Sequence, residues 1–160
     1  MDTQFNRIFD LYNEDIYRFI YSYTLNKQEA KDLLQETFIK FYKNIYSFPK
    51  EDIEIKKWLI KVSANCCKDH FRSFWKSKVT TTDYSQMNSS YVETVNYDFE
   101  DILNKLGKKE RIPIYLYYYE GYKIEEIASM LKENVSTIKM RMKKAKEIIK
   151  KEMEKENEKI

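Results

Sequence analysis

The stretch that decides the fold is Glu120-Gly-Tyr-Lys-Ile-Glu-Glu-Ile-Ala-Ser-Met-Leu131, continued by Lys132-Glu-Asn-Val-Ser-Thr-Ile-Lys-Met-Arg-Met-Lys-Lys-Ala145. Ile124, Ile127, Ala128 and Leu131 recur at helical spacing and predict a short amphipathic helix after Gly121. Lys132 to Asn134 form a turn, and Asn134 is suited to N-cap a final helix that runs through Ile149. A compact helix, a turn of about three or four residues and a longer helix give helix-turn-helix spacing. In the second helix Val135, Ile138, Met142, Ala145 and Ile149 point inward. Ser136, Thr137, Met140, Lys143 and Lys144 point out, with Lys139 and Arg141 flanking. A polar, basic outer face suits hydrogen bonding to base edges and a grip on phosphates in the major groove.

The same periodicity extends to both sides. Upstream, Phe99, Ile102, Leu103 and Leu106 begin a short helix, and Arg111 to Tyr119 form another, rich in tyrosine. At the N-terminus, Phe5, Ile8, Phe9, Tyr12, Ile16, Phe19, Ile20 and Tyr23 predict a helix over Gln4 to Thr24. A second helix is expected from Gln28 to Ile45. Its inward stripe is Ala30, Leu33, Leu34, Thr37, Phe38, Phe41 and Ile45, with Asp32, Gln35, Glu36, Ile39 and Lys43 on the opposite side. Ser47-Phe48-Pro49 ends it, because proline disfavours helix in the residue before it. A third, Glu54 to Trp75, buries Ile55, Trp58, Leu59, Val62 and Cys66. Lys57, Lys61, Asn65, Lys68 and Arg72 fall within an arc of about 80° on another side, a cationic ridge.

The chain has only two glycines and two prolines in 160 residues, which with this spacing predicts an all-α fold. Between Ser77 and Asp98 the pattern dissolves into Thr-Thr-Thr, Asn88-Ser89-Ser90 and scattered tyrosines, the composition of a linker. The expected organisation is therefore two small helical domains, 1–76 and 99–160, joined by a flexible linker at 77–98. About 20 extended residues reach some 65 Å, nearly two turns of duplex.

Charge is divided along the chain. Lys56 to Lys78 holds seven Lys/Arg against one acid; Thr80 to Asn104 holds five acids and no base; Lys132 to Lys151 holds eight bases against two acids. Two basic patches flanking an acidic connector suggest two contacts with one long polyanion, since phosphate neutralisation supplies most nonspecific nucleic-acid affinity. Cys66 and Cys67 are adjacent and cannot staple distant segments, and with His70 they are too few for an ordinary four-ligand zinc site. They are expected to be small buried hydrophobes. No metal or cofactor site is expected, nor a small-molecule substrate. There is no apolar run of 18 residues and no signal-peptide pattern at Met1 to Tyr12, so the expected location is the cytoplasm.

Two long strings then resemble a known family. Glu29-Ala-Lys-Asp-Leu-Leu-Gln-Glu-Thr-Phe-Ile-Lys-Phe-Tyr-Lys-Asn-Ile45, followed by Lys57-Trp-Leu-Ile-Lys-Val-Ser-Ala-Asn65 and Asp69-His-Phe-Arg72, is similar to the second conserved region of extracytoplasmic-function (ECF) sigma factors. The stretch from Glu120 through Ala145 resembles their fourth region. Together the two resemblances cover nearly the whole chain, in the family's order.

The resemblance implies a non-enzymatic factor that binds core RNA polymerase and directs promoter-specific transcription initiation. It implies that Asp32, Gln35, Glu36 and Ile39, with Phe38 at the edge, dock on the coiled-coil clamp of the polymerase. Lys57, Lys61, Lys68 and Arg72 would hold phosphates of the minus-ten element, with Asn65 near the bases. The loop Phe48 to Glu54 would receive a flipped base, with Phe48, Phe71, Phe74 or Trp75 available for stacking. Ser136, Thr137, Lys139, Met140, Arg141, Lys143 and Lys144 would read the minus-35 element as duplex. A membrane-linked anti-sigma factor would hold the protein inactive until a stress signal arrives. The chain departs from the family pattern at Gly107, where proline is usual, at Lys132 and Glu133, where glycine and an apolar residue are usual, and at Lys144, where arginine is common. The alternative function is a stand-alone helix-turn-helix regulator, which needs neither a polymerase-binding face nor the linker.

Overall fold

The computed structural model describes residues 3–47, 51–77 and 97–158, with side chains described over 3–47, 51–72 and 101–155. The fold is all-α, as expected, and the chain divides into two compact units, Met1–Val92 and Glu93–Ile160. The expected linker at 77–98 falls almost entirely outside the described residues, as do Phe48 and the side chains of Phe74 and Trp75.

In the first unit, α1 (Thr3–Thr24), α2 (Lys27–Lys43) and α3 (Asp52–Ser77) pack against one another pairwise, and a 3₁₀ turn over Ile45–Ser47 follows α2. The α1–α2 corner is closed by Leu25, whose left-handed backbone (φ 52) lets its N–H donate to the Tyr21 carbonyl at 2.8 Å. Asn26 then caps α2, its Oδ1 accepting from the Glu29 N–H at 2.9 Å. Ile8, Ile16, Phe19 and Ile20 of α1 meet Leu33 and Phe41 of α2 and Ile55, Leu59 and Ile60 of α3 in the buried core. Each such side chain contributes about 1.5–3 kcal/mol when withdrawn from water. Because α3 is covered by both other helices, its buried arc is wider than its own periodicity indicates. Ile60, Ser63, Ala64 and Cys67 join the expected Ile55, Leu59 and Cys66, and together they span about half of the helix circumference.

In the second unit, α4 (Tyr97–Lys105) and α5 (Lys108–Ile114) lead through a π-helical turn, Tyr115–Tyr119, to α6 (Ile124–Leu131) and α7 (Val135–Glu158). The tyrosine-rich segment expected as one helix is therefore split. Pro113 lies inside α5 and has no N–H to donate to the preceding turn. In the wider turn that follows, the Glu120 N–H reaches five residues back to the Tyr115 carbonyl at 3.2 Å. Gly121 takes the left-handed conformation (φ 80) that ends this segment. Arg111 Nε donates to the carbonyls of Leu103 and Leu106 at 2.9 and 3.1 Å, satisfying the open end of α4. Leu116, Ile127, Leu131, Ile138, Met142 and Ala145 form the core under α7.

The last helix outruns the expected end at Ile149 and continues to Glu158. The apolar stripe stops near Ile149, but Lys and Glu are good helix formers. Lys105 of α4 also pairs with Glu152 at 3.5 Å, tying the extension to the unit.

Candidate polymerase and nucleic-acid interfaces

Three faces of these helices carry the candidate residues. On α2, Asp32, Gln35, Glu36 and Ile39 are exposed, Ile39 by 49%. Helical neighbours hold the polar groups in place: Gln28 Nε2 donates to Asp32 Oδ1 at 3.0 Å, and Lys40 pairs with Glu36 at 3.8 Å. Phe38 does not belong to this face. It is only 3% exposed, edge-on to the Phe9 ring at 4.9 Å, with the Phe5 ring also against it, so α1 covers it completely. In its place stand two other exposed aromatic residues: Tyr42, 44% exposed near the C-terminal end of α2 and edge-on to Phe5 at 5.5 Å, and Tyr46, 93% exposed in the 3₁₀ turn that follows. The signal for them was in the sequence, as two aromatic residues off the inward stripe. The face thus joins carboxylates to exposed aliphatic and aromatic surface.

On α3, Lys57, Lys61, Asn65 and Lys68 are half-buried and Arg72 is exposed. All five lie in the half of the helix left open by its buried arc, so one continuous 26-residue helix presents them in a row. Arg72 is steadied by Asp69 at 3.4 Å. The neighbouring Lys56 is drawn away from the ridge. Its side chain is 17% exposed, paired with Asp15 at 3.5 Å and seated over the Tyr12 ring. Phe71 is turned toward Tyr23, ring centroids 6.4 Å apart, and belongs to the packing of α3 on α1.

Behind the ridge, Cys66 and Cys67 are thiols outside any disulfide, buried in the core. Burial, and then the nearby Glu36 carboxylate, push the Cys66 thiol pKa up; Lys40, whose Nζ lies 3.6 Å from its Sγ, and Thr37 act in the opposite sense. A buried thiol whose pKa is raised stays protonated and is a poor nucleophile, which agrees with a packing role.

On α7, Ser136, Lys139, Met140, Lys143 and Lys144 are exposed, Met140 by 65%, and Thr137 partly so. Arg141 differs from them. It sits on the shoulder of the helix, its side chain 19% exposed and its Nη2 3.5 Å from a carboxylate oxygen of Glu133. The turn before α7 explains how Glu133 arrives there. The Glu133 N–H donates to the Ala128 carbonyl at 2.9 Å and the Lys132 N–H to Ser129 at 3.3 Å, with Lys132 left-handed (φ 55). This is a Schellman motif with lysine where glycine is favoured and glutamate where an apolar contact is usual. The α6–turn–α7 unit is a helix-turn-helix. Among the described residues, no helix is long and apolar enough to cross a membrane.

Comparison with known proteins bears on the whole arrangement. Residues 8–77 match the family model for sigma-70 region 2 and residues 97–149 that for sigma-70 region 4. The chain is 32% identical over 169 residues to the ECF RNA polymerase sigma factor SigW of Bacillus subtilis, covering 93% of this chain and 88% of SigW. It is 28% identical over 144 residues to the ECF RNA polymerase sigma factor BldN of Streptomyces coelicolor, covering 84% of this chain and spanning about half, 54%, of BldN. Among solved structures, the sigma factor RpoE of Bartonella quintana, crystallised with the anti-sigma factor NepR, shares the fold with a TM-score of 0.73 at 21% identity, over 96% of this chain and 98% of RpoE. With both regions in order and a relative of this identity along nearly its full length, the chain belongs to the ECF RNA polymerase sigma factors.

Proposed function

We propose that this protein binds core RNA polymerase and directs promoter-specific initiation through the three faces described above. The observation that carries this reading is the presence, in one chain, of a region-2 unit with a basic ridge and a region-4 helix-turn-helix with a basic outer face. The α2 face of Asp32, Gln35, Glu36, Ile39 and Tyr42, with Tyr46 from the turn that follows, docks on the polymerase clamp. Exposed aromatic and aliphatic groups ringed by polar ones have the make-up of an interface hot spot. The α3 ridge holds minus-ten phosphates with Lys57, Lys61, Lys68 and Arg72, and places Asn65 beside the bases. The outer face of α7 reads the minus-35 element as duplex.

The protein acts in the cytoplasm by binding rather than by catalysis. An anti-sigma factor, membrane-linked, covers these faces until it is released; the Bartonella sigma factor of the same fold was itself crystallised in complex with an anti-sigma factor.

The test is binding of the purified chain to bacterial core polymerase, with an Asp32→Ala/Gln35→Ala/Glu36→Ala variant as control. The expected result is tight binding that the variant weakens about tenfold or more while keeping its helical spectrum. A wild-type chain that fails to bind core but binds duplex DNA directly would replace this reading with a stand-alone regulator.

A further inference from the structure

We propose that Glu133 is a positioning residue for DNA recognition: it holds the Arg141 guanidinium at the N-terminal end of α7 and makes binding selective for the cognate minus-35 sequence. The proposal rests on the reading of α7 as the minus-35 helix.

The geometry begins with the turn. The Schellman motif at Lys132 and Glu133 fixes the backbone of Glu133 by a hydrogen bond to Ala128, so its side chain departs from a rigid point just ahead of the helix. Arg141 lies eight residues further on, in the second turn of α7. Helical side chains lean toward the N-terminus, so a long arginine reaches back along the shoulder of α7. There the two groups meet at 3.5 Å, with side-chain exposures of 19% for Arg141 and 28% for Glu133. The other candidate cations of this face, Lys139, Lys143 and Lys144, are exposed. In helix-turn-helix proteins the N-terminal residues of the second helix approach the base edges. The pair therefore places a planar, five-donor group at the end of the helix that enters the groove, with its orientation set before DNA arrives.

The charge of Glu133 adds a second effect. A carboxylate beside the groove repels the phosphates of every duplex alike. Only a sequence that engages the oriented Arg141 repays the cost of bringing phosphates near it. Specificity obtained in this way has a repulsive component as well as an attractive one. The signature is unusual: removing the carboxylate should strengthen binding to arbitrary DNA and weaken discrimination together. Loss of a purely structural contact would weaken binding to cognate and arbitrary DNA alike, and loss of a purely repulsive charge would strengthen binding to both by one factor and leave discrimination unchanged.

The experiment uses the holoenzyme assembled from the full chain and core polymerase. A duplex library randomised across the minus-35 element, with all else constant, yields the preferred element, which is then compared with its scrambled form. With Glu133→Gln, affinity for the scrambled duplex should rise about twofold at low salt, and the cognate-to-scrambled ratio should fall about five- to tenfold. An Arg141→Lys variant, which keeps the charge and loses the fork, should lower the same ratio. Adding Glu133→Gln to Arg141→Ala should lower it no further. A ratio unchanged in Glu133→Gln, or changed equally with Arg141 absent, would overturn the proposal alone. A wild-type holoenzyme with no preferred element would overturn the minus-35 reading of α7 and this proposal with it.

Discussion

Arg7 and Asp52 meet in a two-pronged ion pair, Nη1 to Oδ2 at 2.8 Å and Nη2 to Oδ1 at 3.0 Å, that ties the first turns of α1 to the first residue of α3. The hydrogen bond from Arg7 holds the Asp52 carboxyl below the usual carboxylate range. A carboxylate with a depressed folded-state pKa adds stability above its unfolded value, about 3.9, and that contribution is lost as the pH falls through the folded value. Arg7 remains charged throughout. The melting temperature of Asp52→Asn should therefore lie below that of the wild type by a constant margin between about pH 5 and 8, and the margin should close as the pH falls below about 4. Added salt should narrow it, because both side chains are solvent-exposed. A margin that persists undiminished at strongly acid pH would show that Asp52 acts otherwise than through this pair.

Phe41 is the hinge of an aromatic cluster. It is fully buried, near-parallel to Phe5 at 5.9 Å, edge-on to Phe38 at 6.3 Å and 6.2 Å from the Trp58 ring. Phe41→Ala should cost about 3–5 kcal/mol, and Phe41→Leu, which refills most of the space, clearly less. Both tryptophans, Trp58 and Trp75, lie in the first unit, so a denaturant titration followed by tryptophan fluorescence reads this loss directly. Equal midpoints for the wild type and the alanine variant would contradict the packing described.

The residues that were legible in the sequence are those whose surroundings are set by their own helix. Ile127 and Leu131 on α6, and Ile138 and Met142 on α7, each stand four residues apart, and all four are buried. The ridge of Lys57, Lys61, Asn65, Lys68 and Arg72 follows from 100° per residue and needs no neighbour to define it. What the sequence concealed depends on a second element. Phe38 is buried because Phe5 and Phe9 of α1 lie over it, a pairing that the periodicity of α2 does not encode. Arg141 flanks the outer face on a helical wheel, as the structure has it, but its pairing with Glu133 depends on the turn and not on the helix alone. Ile60 and Cys67 are buried because α3 is packed on two sides. The far end of α7 was missed for another reason: its stability comes from charged helix formers and the Lys105–Glu152 pair, and an apolar stripe registers neither.

Lys132 occupies a left-handed backbone position, φ 55 and ψ 44, at the end of α6. A side chain with a Cβ costs about 1–2 kcal/mol there, and glycine returns roughly half of the relief through its larger unfolded-state entropy. Lys132→Gly should thus stabilise the second unit by about 0.5–1 kcal/mol, a rise of about 3–6 °C in its melting temperature for a domain of this size. Lys132→Ala should give no gain, since alanine carries the same Cβ. A gain common to both would mean that removal of the charge, not the backbone, was responsible.

Lys139, Lys143 and Lys144 stand in solvent on the outer face of α7, whereas Ser136, Thr137 and Met140 share that face without charge. If the lysines lie on phosphates, each releases about one counterion on binding, and log K falls with log salt by about 0.9 per contact. Alanine at any one of them should therefore reduce the salt slope by up to about 0.9 and weaken cognate and scrambled duplexes alike. Met140→Ala should leave the slope unchanged and alter only the preferred sequence, because an apolar side chain contacts bases, such as a thymine methyl, but releases no counterion. Titrations of fluorescent duplex at several salt concentrations separate the two kinds of residue. A lysine variant that changed the sequence preference at constant slope would move that lysine from the backbone to the base edges, and would shift the groove contact toward its side of α7.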